Sequence, residues 1–352
     1  MQWFTKVLLK WHRDNPRPLP WSNGSRNPYH IWLSEIIMQQ TRIEQGTSYY
    51  LRFIKRYPTV FDLARASQDE VMQMWEGLGY YTRARNLHKA AKFIAENLDG
   101  KFPESYEGLL SLPGIGPYSA AAISSFAFGH HHVVVDGNVK RLVSRYSGVT
   151  ESIDEPQTHE KIRKIAFDFM NGAPPDVFNQ AIMNFGALVC KPKPLCNECP
   201  LAVKCYAHQH NLSSILPART KKKLNRTRYF HFIVIHYRGK MLLQRRESND
   251  IWKGLFAPPL LEQKSARAPS KSQVASFIEN NIGHACFEHV KSSNPIQQLL
   301  THQTIIGRYY HMKLLCSPKK LPESFVWVND KTIHSLGKPK MVADQVSSLT
   351  QL

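Results

Sequence analysis

The chain has 352 residues, of which 42% are hydrophobic, enough for two or three domains with substantial cores. Lysine and arginine outnumber the acidic residues by 46 to 27, and this formal charge of +19 favours a polyanionic partner. No apolar run approaches the ~18 residues of a membrane span, and no secretory signal is recognisable, so we expect a cytoplasmic protein without a membrane partner. A basic protein with no nucleic-acid role has the same composition, so charge alone does not decide the function.

The chain up to about residue 206 has the pattern of a mainly helical region. Apolar residues recur at helical spacing over 32–40 and 87–94, and proline and glycine punctuate the segments between. Glu35 lies within the first of these helices, between Leu33 and Ile36. An isolated glutamate is usually a solvated side chain, but a partly buried one has a raised pKa and can serve as a general acid.

A glycine-containing turn precedes an alanine-rich helix. The string Leu112-Pro-Gly-Ile-Gly-Pro-Tyr-Ser119 is typical of a helix–hairpin–helix. Gly114 and Gly116 permit tight backbone geometry, and the free N–H groups at the start of the next helix can bind a phosphate oxygen. A lone Gly-x-Gly is most often a plain turn, so the prediction depends on the whole string.

Asp136 directly follows the apolar run 133–135. Two interpretations fit this position: a helix N-cap, and an ionised carboxylate beside a developing cation. Lys140 and Arg141 lie one turn further on, where they would meet phosphate.

Four cysteines lie close together in the pattern Cys190-x5-Cys196-x2-Cys199-x5-Cys205. Because thiols stay reduced in the cytoplasm, such a density indicates a metal centre rather than disulfides. Four thiolates suit either an iron–sulfur cluster or a zinc ion.

The pattern changes after residue 210. The stretch 211–228 has few apolar side chains and contains the basic run Lys221-Lys222-Lys223, and we interpret it as a solvated linker. Residues 229–237 and 241–244 flank Arg238-Gly239 and predict two strands around a tight turn. Residues 309–315 predict another strand, so 229–352 is expected to form a separate α+β unit.

Together these motifs resemble the MutY-type adenine DNA glycosylases of the helix–hairpin–helix superfamily, over essentially the whole chain. The matching segments, besides the four cysteines, are 19–21, 28–29, 32–35, 39–41, 77–81, 83–88, 112–118, 135–141 and 185–188. The resemblance implies a mainly α catalytic region over 1–210 with a cluster loop at 190–205. A linker over 211–228 and a Nudix-like lesion-recognition domain over 229–352 complete the expected architecture.

The resemblance also implies a function, the excision of adenine mispaired with 8-oxoguanine, and with guanine, in base excision repair. By this likeness Glu35 protonates the flipped adenine and Asp136 stabilises an oxocarbenium-like sugar, while Tyr118 and Asn138 position the pair. Relatives that also cleave the strand carry a lysine where Tyr118 stands. Because tyrosine cannot form a Schiff base, we expect a monofunctional enzyme that leaves an abasic site.

Further residues match positions that contact the lesion. Those around the orphaned 8-oxoguanine are Gln40, Thr41, Leu78 and Tyr80. Tyr80 is expected to wedge between base steps, although ordinary aromatic packing is the alternative for it. Thr301-His302 resembles the loop that contacts 8-oxoguanine, and for His302 the alternative is a strand-end cap. The acidic Nudix box is missing after 254–259, so recognition rather than hydrolysis is expected of this domain.

By the same likeness the four cysteines bind a [4Fe–4S] cluster, with zinc as the competing interpretation. Lys191, Lys193 and Lys204 in that loop would face phosphate. The chain departs from the family in two places. Its first cysteine spacing is one residue shorter than the usual Cys-x6-Cys, and Ser22 stands where relatives have an arginine, for which Arg26 is a candidate replacement.

The expected partner is double-stranded DNA with an A·8-oxoguanine or A·G mispair, bound by a monomer in a bacterial-type, nucleoid-associated setting. A catalytically silent DNA-scanning protein is the alternative, and the presence of both Glu35 and Asp136 argues against it. A Nudix nucleotide hydrolase with an accessory domain is a third hypothesis, and the missing acidic box argues against that one.

Overall fold

The structure is a computed structural model that describes residues 2–22, 26–220, 226–283, 286–316 and 321–350. The chain forms two compact units, Met1–Ala64 with Lys89–Lys222, and Arg65–His88 with Lys223–Leu352. The predicted basic run 221–223 lies outside the described residues. Within those residues, no helix combines the length and the apolar character that a membrane crossing needs.

The chain ahead of residue 210 is helical, as its periodicity predicts. Its helices are α1 (Trp3–Asp14), α2 (Pro28–Met38), α3 (Ile43–Arg56), α4 (Val60–Arg65), α5 (Gln68–Met74), α6 (Thr82–Asn97), α7 (Tyr106–Leu110), α8 (Pro117–Phe128), α9 (Gly137–Ser147), α10 (Pro156–Met170), α11 (Pro175–Leu188) and α12 (Tyr206–Gln209). Two 3-10 turns, Cys196–Glu198 and Ala202–Lys204, lie in the cysteine loop.

One apolar cluster of the first unit holds α1, α9, α10 and α11 together. Its members include Phe4, Leu8, Val139, Phe178 and Phe185, none of them more than 2% exposed. Burying a side chain of this size stabilises the fold by roughly 1.5–3 kcal/mol. The cluster therefore fixes α9 and α11 relative to each other, and both helices carry polar side chains of the site described below.

The helix α2 is apolar on nearly every side, and its buried residues include Trp32, Leu33 and Ile37. Asn27 caps its start by accepting the N–H groups of Tyr29 and His30, at 2.9 and 3.4 Å. The helix ends at Met38, two residues before the predicted pattern does. The C-cap Gln39 already leaves the helical conformation, with ψ 115°, and Gln40 after it is left-handed, with φ 54°.

The predicted helix–hairpin–helix is formed by α7, the turn 111–116 and α8. Gly114 has a positive φ of 80°, and the N–H of Ile115 donates to the carbonyl of Leu112 at 3.1 Å. Gly116 is the N-cap of α8 and has no side chain to cap it. The first N–H groups of α8 are therefore left for another acceptor, as the phosphate interpretation requires.

The second unit is built on a mixed sheet. Its strands are β1 (Arg226–Tyr237), β2 (Lys240–Arg245), β3 (Phe256–Ala257), β4 (Leu260–Gln263), β5 (Phe287–Ser292), β6 (Ile296–Leu299), β7 (Gln303–Leu314) and β8 (Phe325–Val328). The order is β3-β2-β1-β7-β5, with β4 beside β1, β6 beside β7 and β8 beside β2. β1 and β7 run parallel, from Arg226 opposite Gln303 to His236 opposite Lys313.

Helices accompany this sheet, so the unit is α+β as predicted. They are α13 (Lys271–Ile282), a 3-10 turn (Ile333–Ser335), α14 (Lys340–Ala343) and α15 (Val346–Thr350). Val274 and Ile278 of α13 pack on Ile233 and Met312 of the sheet. The predicted hairpin between β1 and β2 is confirmed, and Arg238 and Gly239 turn it with φ values of 48° and 71°.

Residues 65–88 group with the sheet, although the sequence places them in the N-terminal region. The guanidinium of Arg245 lies 2.5 Å from the carboxylate of Asp69, and the guanidinium of Arg85 donates to the carbonyl of Lys253 at 2.6 Å. These pairs are far apart along the chain, and no local pattern reveals them.

The predicted linker 211–228 is too long. The carbonyl of Leu216 accepts from Arg145 at 2.8 Å, and that of Ala218 accepts from the N–H of Ile153 at 3.0 Å. At the other end, β1 already begins at Arg226. Both ends of the stretch are therefore held by hydrogen bonds that its polar composition does not indicate.

Candidate active site

A cavity of about 1220 Å³ lies in the first unit. Small-molecule pockets usually measure ~300–1,000 Å³, so a nucleoside fits inside it. Seven of the predicted site residues line this cavity: Glu35, Gln40, Thr41, Gly116, Tyr118, Asp136 and Asn138.

Glu35 lies on the cavity wall contributed by α2, among the apolar side chains of that helix. Burial raises its pKa to about 7, and the negative charge of Asp136 contributes to the increase. The two carboxyl groups are therefore close enough to interact, although 101 positions separate them in the sequence. Near neutral pH a substantial fraction of Glu35 carries a proton.

Asp136 caps the start of α9 and accepts three hydrogen bonds there. One oxygen accepts the N–H groups of Asn138 and Val139 at 2.8 and 2.7 Å, and the other accepts the side-chain amide of Asn138 at 2.7 Å. Burial raises its pKa, and these hydrogen bonds oppose that increase. The N-cap interpretation is therefore confirmed. The same hydrogen bonds favour the ionised form of Asp136, which the functional interpretation requires, and that interpretation stays a prediction.

Asn179 supports the segment that leads to Asp136. Its side chain is fully buried, accepts the N–H of Val134 at 2.9 Å and donates to the carbonyl of His132 and the hydroxyl of Ser125, both at 2.8 Å. This non-helical stretch thereby gains the hydrogen bonds that a regular strand would supply.

Tyr118 lies in the first turn of α8, where the helix meets the two carboxyl groups. Burial raises its pKa well above the ordinary value, and the charges of Glu35 and Asp136 add to the increase. The amide of Gln39 donates to Ser119 at 3.0 Å and ties the end of α2 to this turn.

The α11 wall of the cavity carries two amides that the sequence analysis did not single out. Gln180 donates to the side-chain oxygen of Asn184 at 3.2 Å, and both residues line the cavity. The side-chain nitrogen of Asn184 is buried and has no hydrogen-bond partner among the described residues. Amides at i and i+4 of a helix that is otherwise buried are the sequence signal for this pair.

Arg141 points inward, although the sequence predicts a phosphate contact for it. Its guanidinium donates to the side-chain oxygen of Asn138 at 2.8 Å and to the carbonyls of Gly186 and Cys190, both at 2.7 Å. It thereby connects the hydrogen bonds around Asp136 to the first cysteine. The ammonium of Lys140 lies 3.4 Å from the carbonyl of Ile153, and its DNA contact stays a prediction.

The four cysteines line a second, small cavity with apolar side chains such as Leu142 and Leu201. Arg145 is buried and donates to the sulfur of Cys190 at 3.5 Å and to two carbonyls of the following loop. No three histidine, cysteine or acidic side chains of the described residues form a ready-made metal site. The donor set of four thiols around one cavity nevertheless fits an iron–sulfur cluster.

Arg26 lies at the same cavity as Glu35, where its guanidinium pairs with Asp176 at 2.8 Å. Its side chain remains 60% exposed. Arg26 and Ser22 both line the cavity, and the replacement of the family's arginine by Arg26 stays a prediction.

The remaining predicted lesion contacts lie in the second unit. Leu78 is buried, whereas Tyr80 is 42% exposed and left-handed, with φ 47°. The hydroxyl groups of Tyr80 and Thr301 are hydrogen-bonded to each other, and His302 beside them is exposed. The structure thus brings the predicted wedge and the predicted lesion-contacting loop together.

The sequence of this chain matches known protein families and individual proteins. The HhH-GPD superfamily base excision DNA repair protein family matches residues 33–166, and the NUDIX domain family matches residues 230–347. An adenine DNA glycosylase from Buchnera aphidicola subsp. Baizongia pistaciae is 34% identical over 310 residues, 86% of this chain and 84% of that protein. Another, from the subspecies Schizaphis graminum, is 32% identical over 96% of both chains.

The chain belongs to the adenine DNA glycosylase family. This membership confirms the resemblance, the fold class and the enzyme class predicted from the sequence, a DNA N-glycosylase. The human adenine DNA glycosylase is 40% identical over 215 residues, which cover 58% of this chain and 39% of that protein.

Solved structures share the fold of the helical region. A thermostable thymine-DNA glycosylase matches with a TM-score of 0.54 and 28% identity, over 59% of this chain and 95% of its own. A non-covalent endonuclease III–DNA complex matches with a TM-score of 0.52 at 23% identity, over 60% of this chain and 95% of its own.

Substituting Arg141 with alanine tests the bridge between the cavity and the cysteine loop. The carbonyls of Gly186 and Cys190 and the amide oxygen of Asn138 would each lose a charged donor. We expect the free energy of unfolding to fall by about 2–4 kcal/mol in urea titrations. Arg163→Ala, which removes an exposed pair with Glu160, should cost less than about 1 kcal/mol. If the two substitutions lower the free energy of unfolding equally, Arg141 does not connect the cavity to the cysteine loop as described.

Proposed function

We propose that this chain excises adenine opposite 8-oxoguanine, and opposite guanine, from duplex DNA and leaves an abasic site. The observation that carries the proposal is the shared cavity of Glu35 and Asp136, in which burial and the neighbouring charge raise the pKa of Glu35 to about 7. A pair of carboxyl groups with different protonation preferences is the arrangement that N-glycosidic bond cleavage needs.

The chemistry begins with an adenine nucleotide turned out of the duplex into the cavity, because a stacked base is inaccessible. Glu35 transfers its proton to a ring nitrogen of adenine, so the base leaves without the negative charge that bond cleavage would otherwise place on it. The electrons of the N-glycosidic bond depart with the base. Asp136, held as a carboxylate by its three hydrogen bonds, stabilises the positive sugar until water adds to it. The proton that this water releases restores the acid form of Glu35.

Tyr118 supports a monofunctional reaction. Its phenol lies beside both carboxyl groups, where an amine would be needed to form a Schiff base with the sugar. We therefore propose that the product is an intact strand with an abasic site.

The same proposal covers binding of the duplex. The uncapped N–H groups at the start of α8, beside Gly114 and Gly116, bind a phosphate oxygen with help from the helix dipole. Tyr80 enters between base steps next to the lesion, and Thr301 and His302 contact 8-oxoguanine from the sheet unit. Gln40 and Thr41 line the cavity, and we propose that they face the lesion strand.

Asn184 supports recognition of the base itself. Within the part of the chain that the structure describes, its buried side-chain nitrogen lacks an acceptor, and adenine offers acceptors at its ring nitrogens. We propose that Asn184 donates to a ring nitrogen on an edge of adenine that Glu35 does not hold. If the amides of Asn184 and Gln180 are both turned over, the oxygen of Asn184 is left instead and accepts from the N6 amino group, which adenine also supplies.

We further propose that Cys190, Cys196, Cys199 and Cys205 hold a [4Fe–4S] cluster. When bound, the cluster supplies a rigid brace for the loop, whose lysines can then face phosphate. Protein purified without oxygen should be brown, with a broad absorption band at about 400 nm, the expected signature of a cluster. A colourless protein that contains one zinc ion per chain would overturn this assignment.

Excision on a duplex with one A·8-oxoguanine pair, followed by hot alkali, tests the function. The wild-type protein should yield a strand break at the adenine after alkali and none before it. Glu35→Gln should bind the duplex but lose about 10²–10⁴-fold in single-turnover rate, because its amide cannot donate an acidic proton. Glu160→Gln, on the exposed face of α10, serves as the matched control and should remain active. Tight binding by the wild type without any break would instead identify a silent DNA-scanning protein.

Substrate analogues test the role of Asn184. Asn184→Leu should slow excision of adenine by about 10–100-fold, because the base then meets an apolar wall. The analogues 1-deazaadenine, 3-deazaadenine and unsubstituted purine lack N1, N3 and the N6 amino group, respectively. The excision rate of the wild type should fall by a similar factor with the analogue that lacks the atom contacted by Asn184. For that analogue, Asn184→Leu should cause no additional loss. If Asn184→Leu slows excision of every one of the three analogues by the same factor as it slows excision of adenine, Asn184 does not contact the base.

A further inference from the structure

The loop that carries Tyr80 is held in an uncommon backbone conformation. Between α5 and α6, Gly77, Gly79 and Tyr80 all have positive φ values, of 93°, 74° and 47°. Side chains other than glycine seldom adopt this region, because the Cβ atom approaches the neighbouring carbonyl. A conformation of this kind persists only where surrounding contacts enforce it.

Lys338, in the C-terminal segment, forms hydrogen bonds with both ends of this loop. The backbone N–H of Lys338 donates to the carboxylate of Glu76 at 2.9 Å, and its ammonium lies 3.1 Å from the same oxygen. The carbonyl of Lys338 accepts the hydroxyl of Tyr81 at 3.0 Å. Glu76 and Tyr81 flank the three left-handed residues, so Lys338 connects the two ends of the loop. Within the loop, the indole of Trp75 also donates to the carbonyl of Gly79 at 3.0 Å, and the guanidinium of Arg83 donates to the same carbonyl at 3.3 Å.

Lys338 is itself fixed. Its side chain is only 2% exposed, and its ammonium donates to the carbonyls of Ile333 and Leu336 at 2.9 and 2.5 Å. With Glu76, the three protons of the ammonium have three acceptors. Burying an ammonium group costs folding free energy unless acceptors compensate for the lost water. The three acceptors around Lys338 supply that compensation, and a lysine is therefore suited to this buried position.

Gly337 gives an independent sign that this segment fits closely against α5. A Cβ atom at Gly337 would lie 2.9 Å from the backbone carbon of Met72 and 3.1 Å from the nitrogen of Gln73. The backbone of Gly337 also accepts the N–H of Phe256 in β3 at 2.9 Å. The segment 337–338 therefore joins the sheet to the loop that carries Tyr80.

We infer that Lys338 is a positioning residue for Tyr80, and that the C-terminal domain acts on DNA through this loop as well as through Thr301 and His302. The inference rests on the proposed function, in which Tyr80 enters the duplex beside 8-oxoguanine. Lys338 does not touch DNA in this account. It holds the 77–80 backbone so that the ring of Tyr80, 42% exposed, stays beside Thr301 and the exposed His302.

A double-mutant cycle on the full-length protein tests the inference. The variants are Lys338→Met, Tyr80→Ala and the combination, and Lys340→Met is the matched control, since Lys340 is exposed two residues away. One readout is single-turnover excision from an A·8-oxoguanine duplex. The other is the fluorescence of 2-aminopurine placed next to 8-oxoguanine, which increases when the neighbouring step unstacks.

Lys338→Met should lower the excision rate at least 10-fold and remove most of the fluorescence increase, whereas Lys340→Met should change neither. In the Tyr80→Ala background, Lys338→Met should have no further effect on either readout. Multiplicative losses in the double variant, or an unchanged fluorescence increase in folded Lys338→Met, would overturn the inference.

A second variant, with a smaller change to the loop, tests the inference if Lys338→Met does not fold. Glu76→Gln retains an acceptor for the N–H of Lys338 but removes the charge, and its side chain is 28% exposed. It should reduce the fluorescence increase at least 3-fold with a thermal unfolding midpoint close to that of the wild type. An unchanged fluorescence increase in this variant would refute the inference. Failure of the wild type to excise adenine would count against the proposed function alone, because the fluorescence readout needs only DNA binding.

Discussion

The site depends on two carboxyl groups that face one cavity in different chemical surroundings. Glu35 projects from an apolar helix that offers little to stabilise its charge, whereas Asp136 sits at a helix start where backbone N–H groups favour the ionised form. Because two nearby negative charges repel, ionisation of Asp136 further disfavours that of Glu35. Glu35 is therefore suited to carry the proton and Asp136 the negative charge, which is the division of roles that the proposed reaction uses.

The scaffold maintains this division through contacts between distant segments. Asn179 of α11 fixes the stretch before Asp136, and Arg141 of α9 ties Asn138 to the carbonyl of Cys190. The apolar cluster under α9 and α11 holds those helices together. Arg141 therefore gives the cysteine loop a direct hydrogen-bond connection to the surroundings of Asp136.

Much of this arrangement could be predicted from sequence, because its signals are local. The hairpin string 112–119 and the aromatic and β-branched run before Arg238 each encode a structure within a few residues. Glu35 was identifiable only by resemblance, since its burial depends on helices far away in the chain. Arg141 and Asn184 show the limit, because basic and amide side chains look solvent-facing until the packing of α9 and α11 is known. The grouping of 65–88 with the sheet likewise depends on pairs such as Asp69 and Arg245, which no short-range pattern links.

The most direct test of the account is a titration of the Glu35 side chain itself, by carbon NMR of protein labelled at glutamate carboxyl carbons and assigned with Glu35→Gln. We expect a midpoint near 7, and a lower midpoint in Asp136→Asn, since that substitution removes the neighbouring negative charge. A midpoint near the ordinary value of 4.5, unaffected by Asp136→Asn, would show that the two carboxyl groups do not share the cavity as a coupled acid and anion.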